Sequence, residues 1–220
     1  MSNADHEISI GGWVMRVHQP EGTGPFPVIL LLHGWTGDER SMWVFSPRLP
    51  RNALMIAPRG LFKAAGAGYS WYPEISKRWP WMADFQRAVE RLLPVLSEKY
   101  FPSGDFSNLH LVGFSQGAAF AYSIAIMHSE LVTSLAGLSG FLADGASDWL
   151  RPTRLQGMPV FIAHGTQDKL VPVEKARQSV ADLERAGASV TYCEDDVGHK
   201  LSIKCFHGLE AFFQKTACSG

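Results

Sequence analysis

Cysteine is scarce in this chain, charge of either sign is not in excess, and no long apolar run occurs. Cys193, Cys205 and Cys218 are the only three cysteines among 220 residues. That odd, sparse set does not resemble a disulfide framework. Free thiols in a reducing compartment are therefore expected, which suggests a cytoplasmic protein. Lysine plus arginine number 20 and aspartate plus glutamate 21, so no electrostatic argument favours a nucleic-acid partner. Without a run of eighteen apolar residues, no membrane-spanning helix is expected. The opening stretch from Met1 to Glu7 lacks the basic and apolar regions of an export signal. H-E-x-x-H, paired Cys-x-x-Cys and G-x-x-x-x-G-K-[ST] patterns are all missing, so neither metal nor cofactor is expected. No internal repeat, linker or low-complexity segment divides the chain, which reads as one domain over residues 1–220 with a core of its own.

What the chain does contain is an alternation of strand-like and helix-like stretches. Glu7 to Ile10 and Trp13 to Val17 flank Gly11-Gly12 as a hairpin. Val28 to Leu32, Ala53 to Ala57, Leu109 to Val112, Val132 to Leu138, Pro159 to Ala163 and Ala188 to Glu194 read as strands. Helical stretches are a short one near Met42 to Phe45, then Trp81 to Tyr100 with a kink at Pro94. Ala118 to Met127, Val173 to Ala186 and Leu201 to Lys215 complete them. Pro58 to Pro80 reads as one long aromatic-rich loop. The alternation predicts an α/β fold, with a mostly parallel sheet flanked by helices on both faces and no separate lid domain.

Gly113-Phe114-Ser115-Gln116-Gly117 lies between a strand and a helix. This is the pattern of a nucleophile elbow, in which a sharp turn exposes a serine hydroxyl above the sheet. A serine needs a base to take its proton. Asp168 follows the strand Pro159 to Ala163, and His199 lies between the last strand and the last helix. Both are thereby carried towards the serine edge of the sheet. His33, His110, His128, His164 and His207 are rivals by type, but none lies between the last strand and the last helix. Asp195 and Asp196 lie too close to His199 in sequence to come from a separate loop. The bland alternatives are a serine capping a helix and an aspartate in a surface turn. The order Ser, Asp, His favours chemistry.

Taken together these residues resemble the phospholipase/carboxylesterase group of the α/β-hydrolases, which includes small bacterial carboxylesterases and acyl-protein thioesterases. Also carrying the resemblance are Leu32-His33-Gly34-Trp35-Thr36-Gly37-Asp38, Ala57-Pro58-Arg59-Gly60 and Gly68 to Tyr72. Trp35 stands where many members carry a smaller residue, and the segment from Arg59 to Trp71 departs from the group's usual sequence. The resemblance implies hydrolysis of carboxylic esters of short-to-medium acyl chains, with a small-molecule ester as partner and no cofactor. Ser115 would be the nucleophile, His199 the base and Asp168 its orienting acid. An oxyanion hole would use the N–H of Gln116 and, by resemblance, that of Trp35. Trp71 and Tyr72 are candidates to wall the substrate pocket, though aromatics there could equally bury a long loop. Competing functions are a thioesterase or lysophospholipase with the same residues, and a silent hydrolase-fold binding protein. The sequence leaves a homodimer open.

Overall fold

The computed structural model describes residues 5–73 and 78–217. Cys218, the first four residues and part of the long aromatic-rich loop lie outside the described residues. The predicted hairpin forms from β1 (His6–Ile10) and β2 (Trp13–His18), with Ile10 opposite Trp13 across the two glycines. Then come β3 (Phe26–Leu32) and β4 (Leu54–Pro58), with a 3-10 helix Ser41–Arg48 between them. Two short antiparallel strands, β5 (Phe62–Lys63) and β6 (Tyr69–Ser70), fold within the stretch read as one loop. The remaining strands are β7 (Gly104–Phe114), β8 (Ser134–Leu138), β9 (Pro159–Gly165) and β10 (Ser189–Asp195). The main sheet has eight strands in the order β1-β2-β4-β3-β7-β8-β9-β10. Only the β1–β2 and β2–β4 pairings are antiparallel; all other neighbours run parallel.

Side-chain alternation along the strands builds a core on each face of this sheet. On β3, Val28, Leu30 and Leu32 point into one core, and Ile29 and Leu31 into the other. On β9, Val160 and Ile162 oppose Phe161 and Ala163 in the same way. Helices α1 (Met82–Leu92) and α2 (Gln116–Met127) and Leu183 of α3 (Val173–Arg185) cover the first face. The Ser41–Arg48 helix and α4 (Ile203–Thr216) cover the second. Every residue of α2 except Met127 is buried, as expected of a helix that is apolar all round. Helix α1 is shorter than its sequence period implied. It ends at Leu92 and passes into a 3-10 turn, Leu93–Val95. Pro94 donates no backbone hydrogen bond and crowds the preceding turn, so it stops the helix where a kink was expected.

The cysteine expectation is overturned. Cys193 of β10 and Cys205 in the first turn of α4 form a disulfide, with Cα atoms 5.7 Å apart. Both are buried in the core beneath α4. Residue counts could not reveal the pairing, because it depends on α4 folding back against the strand that precedes it. The argument from free thiols to a reducing compartment falls with it. Among the described residues, no helix is long and apolar enough to cross a membrane.

After β3 the chain adds β4 on one side; it later returns to add β7 on the other. The loops leaving the C-terminal ends of β3 and β7 therefore diverge. In open α/β sheets, a crevice opens at such a switch point.

Candidate active site

Leu32 and Gly113 are paired at the ends of β3 and β7, and Ser115 follows at the start of α2. Its backbone is held at φ 55° and ψ −117°, a conformation that costs a non-glycine residue free energy. The two glycines around it are required by contact. A Cβ on Gly113 would lie 2.2 Å from the Gly117 carbonyl oxygen, and one on Gly117 only 2.0 Å from that of Leu32. The helix can thus turn directly over the strand ends. The Gln116 N–H is the first of α2, where the positive end of the helix dipole lies. Among the described residues, no bond partners the backbone N–H of Gln116 or of Trp35.

The loop opposite, Gly34 to Glu39, is tied down by distant residues. His33 is fully buried at its start. Its Nδ1–H donates to the Gly34 carbonyl at 2.7 Å, and its Nε2 accepts the Gly60 N–H at 2.8 Å. Burial pulls its pKa from the ordinary 6.5 to about 4. His33 is thereby neutral at physiological pH, with both ring nitrogens committed to backbone. Further along, Thr36 N–H donates to the Tyr69 carbonyl and Tyr69 N–H to that of Gly37. Glu39 is only 2% exposed, and Arg59 grips both of its oxygens at 2.6 and 2.9 Å. That charge-assisted grip holds the carboxyl below its usual pKa. Arg59 also lies over the Tyr69 ring, 4.8 Å from its centroid.

Asp168 and His199 come from the loops after β9 and β10. These loops are stitched together by Thr166 N–H to Asp195 O and Gln167 N–H to Val197 O. One Asp168 oxygen accepts the N–H groups of Leu170 and Val171 at 2.8 and 2.9 Å. The other lies 2.6 Å from His199 Nδ1, which leaves Nε2 as the free nitrogen of that ring. The His199 ring packs on Phe114, the residue before Ser115, with centroids 5.0 Å apart. Among the described residues, no hydrogen bond joins the Ser115 hydroxyl to His199. Such contacts are often long before substrate binds. His164 sits beneath the pair: Nε2–H donates to the Val171 carbonyl at 2.9 Å and lies 3.4 Å from Asp168. Burial lowers its pKa as well.

Two cavities meet at Trp35, whose side chain is 51% exposed. One, of about 470 Å³, is lined by Ser115, Gln116, Tyr72, Trp79, Phe141 and Leu170 among others. The second, of about 590 Å³, is bordered by Trp35 together with Gly34, Phe45, Phe114 and Leu201 among others. Trp71 needs correction. It is fully buried and lines neither cavity, because its ring stacks on Phe120 of α2, 4.5 Å away. Its Nε1–H donates to the His33 carbonyl at 2.7 Å, and its backbone N–H donates to the Gln116 side chain at 3.1 Å. Trp71 thus couples the elbow to the opposite loop from below. The sequence reading did not find the Glu39–Arg59–Tyr69 tie. Its one visible signal was a charged residue immediately after the buried strand Leu54–Pro58. Among the described residues, no cluster of three or more His, Cys, Asp or Glu could hold a metal ion.

A sheet of this order, with a strained serine turn at its switch point, defines the α/β-hydrolase fold. Solved structures agree. A Bacillus cereus carboxylesterase superposes with a TM-score of 0.80 at 22% identity, covering 92% of this chain and 93% of that one. A Mesorhizobium loti carboxylesterase gives 0.79 at 18% identity, over 96% and 98%. The chain belongs to the phospholipase/carboxylesterase family, whose sequence profile matches residues 16–217. Acyl-protein thioesterase 1 of Gibberella zeae is 29% identical over 133 residues, 54% of this chain and 57% of that protein. Carboxylesterase SOBER1 of Arabidopsis thaliana is 22% identical over 130 residues, 58% and 57% of the two chains. The matched stretches span little more than half the length of these relatives.

Proposed function

We propose that the protein hydrolyses carboxylic esters of short-to-medium acyl chains through an acyl-serine, with Ser115, His199 and Asp168 as a triad. The observation that carries this reading is the 2.6 Å contact between His199 Nδ1 and Asp168, made beside a serine in strained elbow geometry. The buried carboxylate fixes the imidazole tautomer and stabilises the imidazolium. Ser115 Oγ attacks the ester carbonyl carbon as His199 Nε2 takes its proton. The oxyanion is met by the N–H groups of Trp35 and Gln116. The bond to the alcohol oxygen breaks, and His199 returns its proton to that oxygen. Water then attacks the acyl-serine, His199 takes a proton from it, and the acid leaves as Ser115 is restored. These steps need no cofactor.

The family includes an acyl-protein thioesterase relative, and a thioester would pass through the same steps with a sulfur leaving group. Matched ester and thioester substrates separate the two readings. The primary test is hydrolysis of p-nitrophenyl esters from acetate to palmitate, comparing wild type with Ser115→Ala. Turnover should peak at short or medium chains and fall a thousandfold or more in the variant. A folded Ser115→Ala protein that kept its turnover would sink the mechanism. A wild-type protein inert on every chain, and inert to sulfonyl fluoride, would point to a binding protein.

A further inference from the structure

We infer that the second cavity bordered by Trp35 is a subsite for the leaving alcohol and that it selects apolar alkyl or aryl alcohols. This inference rests on the serine-hydrolase reading above. An ester carbonyl seated on Ser115 sends its acyl and alcohol halves in different directions. One direction enters the cavity lined by Ser115, Gln116, Phe141 and Leu170. The other is available in the second cavity, and Trp35 borders both.

The proton transfer decides which half goes where. His199 must reach the leaving oxygen to protonate it, so the alcohol departs on the imidazole side. The second cavity is on that side. Its wall includes Lys200 and Leu201, the two residues after His199, and Phe114, whose ring supports the His199 imidazole. It approaches the nucleophile through Gly34, without Ser115 or His199 in its own lining. Gly34 lines it, and a Cβ placed on Gly34 would stand 3.3 Å from Ser115 Cβ.

The lining sets the chemistry. Met42, Val44, Phe45, Phe114, Leu201 and Phe206 supply an apolar surface, with Thr36, Ser41 and Lys200 as the polar side chains. Phe45 packs on both Phe114 and Phe206, at 6.0 and 5.7 Å between centroids. The aromatic part of the wall is therefore continuous from the elbow to α4. A polyol would leave water for a wall that is mostly apolar and returns few hydrogen bonds. An alkyl or aryl alcohol gains by leaving water.

Acetate esters of methanol, hexan-1-ol and benzyl alcohol, followed by acid release, test the assignment without any variant. Hexyl and benzyl acetate should exceed methyl acetate in kcat/KM by on the order of tenfold or more. Val44→Asp then puts a charge on the cavity wall at a position that is 65% exposed, where folding tolerates it. The preference for hexyl over methyl acetate should fall by on the order of tenfold. The ranking among methyl acetate, butyrate and octanoate should persist. Three results would overturn the assignment while hydrolysis stays Ser115-dependent. They are a flat alcohol series, an alcohol preference untouched in the variant, and a variant effect confined to the acyl series. Turnover that survived in Ser115→Ala would instead overturn the serine-hydrolase reading itself.

Discussion

Ser115 and the loop facing it are held by different physics. The serine turn is shaped by close backbone contact, within the elbow at Gly113 and against the end of β3 at Gly117. Two glycines leave no room for side chains, and the helix behind them is buried on all sides. The loop from Gly34 to Glu39 has short-range turns of its own, Gly37 N–H to Gly34 O and Ser41 N–H to the Asp38 carboxylate, but is tied to the rest of the fold by other segments. Its shape comes from Gly60 gripping His33, Tyr69 bonding Thr36 and Gly37, and Arg59 bound to Glu39. In the proposed mechanism these two regions each supply one oxyanion donor. One donor is thus placed by steric contact, while the other depends on hydrogen bonds and an ion pair reaching from a different segment. Preorganised donors lose their value when they must be reorganised during reaction, so the second donor should be the more easily disturbed.

The largest effect is expected at the elbow. Gly117→Ala would drive a Cβ to within 2.0 Å of a carbonyl oxygen, and backbone on both sides cannot yield. We expect a loss of about 4 kcal/mol or more, read as insoluble protein or a collapse of the urea midpoint. A soluble variant with a native midpoint would refute the claim that contact enforces the turn. Next is Arg59→Ala, which leaves the buried Glu39 carboxyl with only Arg40 Nε, 3.6 Å away. Loss of one partner of a buried pair costs roughly 3 kcal/mol here, the low end of the range because Arg59 is partly exposed. Esterase kcat should fall by more than KM rises, since an oxyanion donor acts chiefly in the transition state. A change confined to KM would break the link between this ion pair and the oxyanion loop.

The His199 loop adds a third kind of restraint, a covalent one. Cys193 and Cys205 enclose it across a separation of 12 residues. Closing a loop of that length in the unfolded chain is worth about 3 kcal/mol at most. A Cys193→Ala/Cys205→Ala protein should therefore melt at lower temperature by an amount of that order. An unchanged melting temperature would mean that the non-covalent stitches between the β9 and β10 loops suffice.

The most gradual effect expected is from acid. Burial pulls His33 and His110 from the ordinary 6.5 to about 4. Below pH 6.5 the unfolded chain takes up protons on these residues and the folded protein does not. Their contribution is fully present above pH 6.5 and is lost as pH falls towards about 4. Protonating His33 also forfeits the bond from Gly60, because Nε2 then has no lone pair to offer. Thermal midpoints should thus decline between pH 7 and pH 4.5, and His110→Asn should flatten part of that slope. An identical slope in the variant would remove His110 from the account. The elbow itself, Gly113 to Gly117, contains no titrating side chain, so acid should loosen the loop that faces it first.

Strand and helix placement was largely legible in the sequence. The hairpin at Gly11-Gly12, the buried run of β3 and the order of Ser115, Asp168 and His199 are all local patterns or consequences of a regular alternation. The same reading expected Asp168 and His199 together, and the folded loops bring them into contact. It misjudged residues whose role depends on the interior. Trp71 was expected at a pocket wall and is instead stacked beneath the elbow, since periodicity cannot show which side of a long loop faces the core. Helix α1 was read too long because apolar spacing continues past Pro94, and the missing amide outweighs it.

Sequence alone determined the class of fold and the position of the candidate nucleophile, because strand alternation and the steric limits of a tight turn act over a few neighbouring residues. Tertiary structure alone decided that Cys193 meets Cys205, that Arg59 anchors the loop carrying Trp35, and that Trp35 borders two cavities. Each of these joins residues distant along the chain or across a loop reversal, and only the packed sheet and helices bring them within bonding distance.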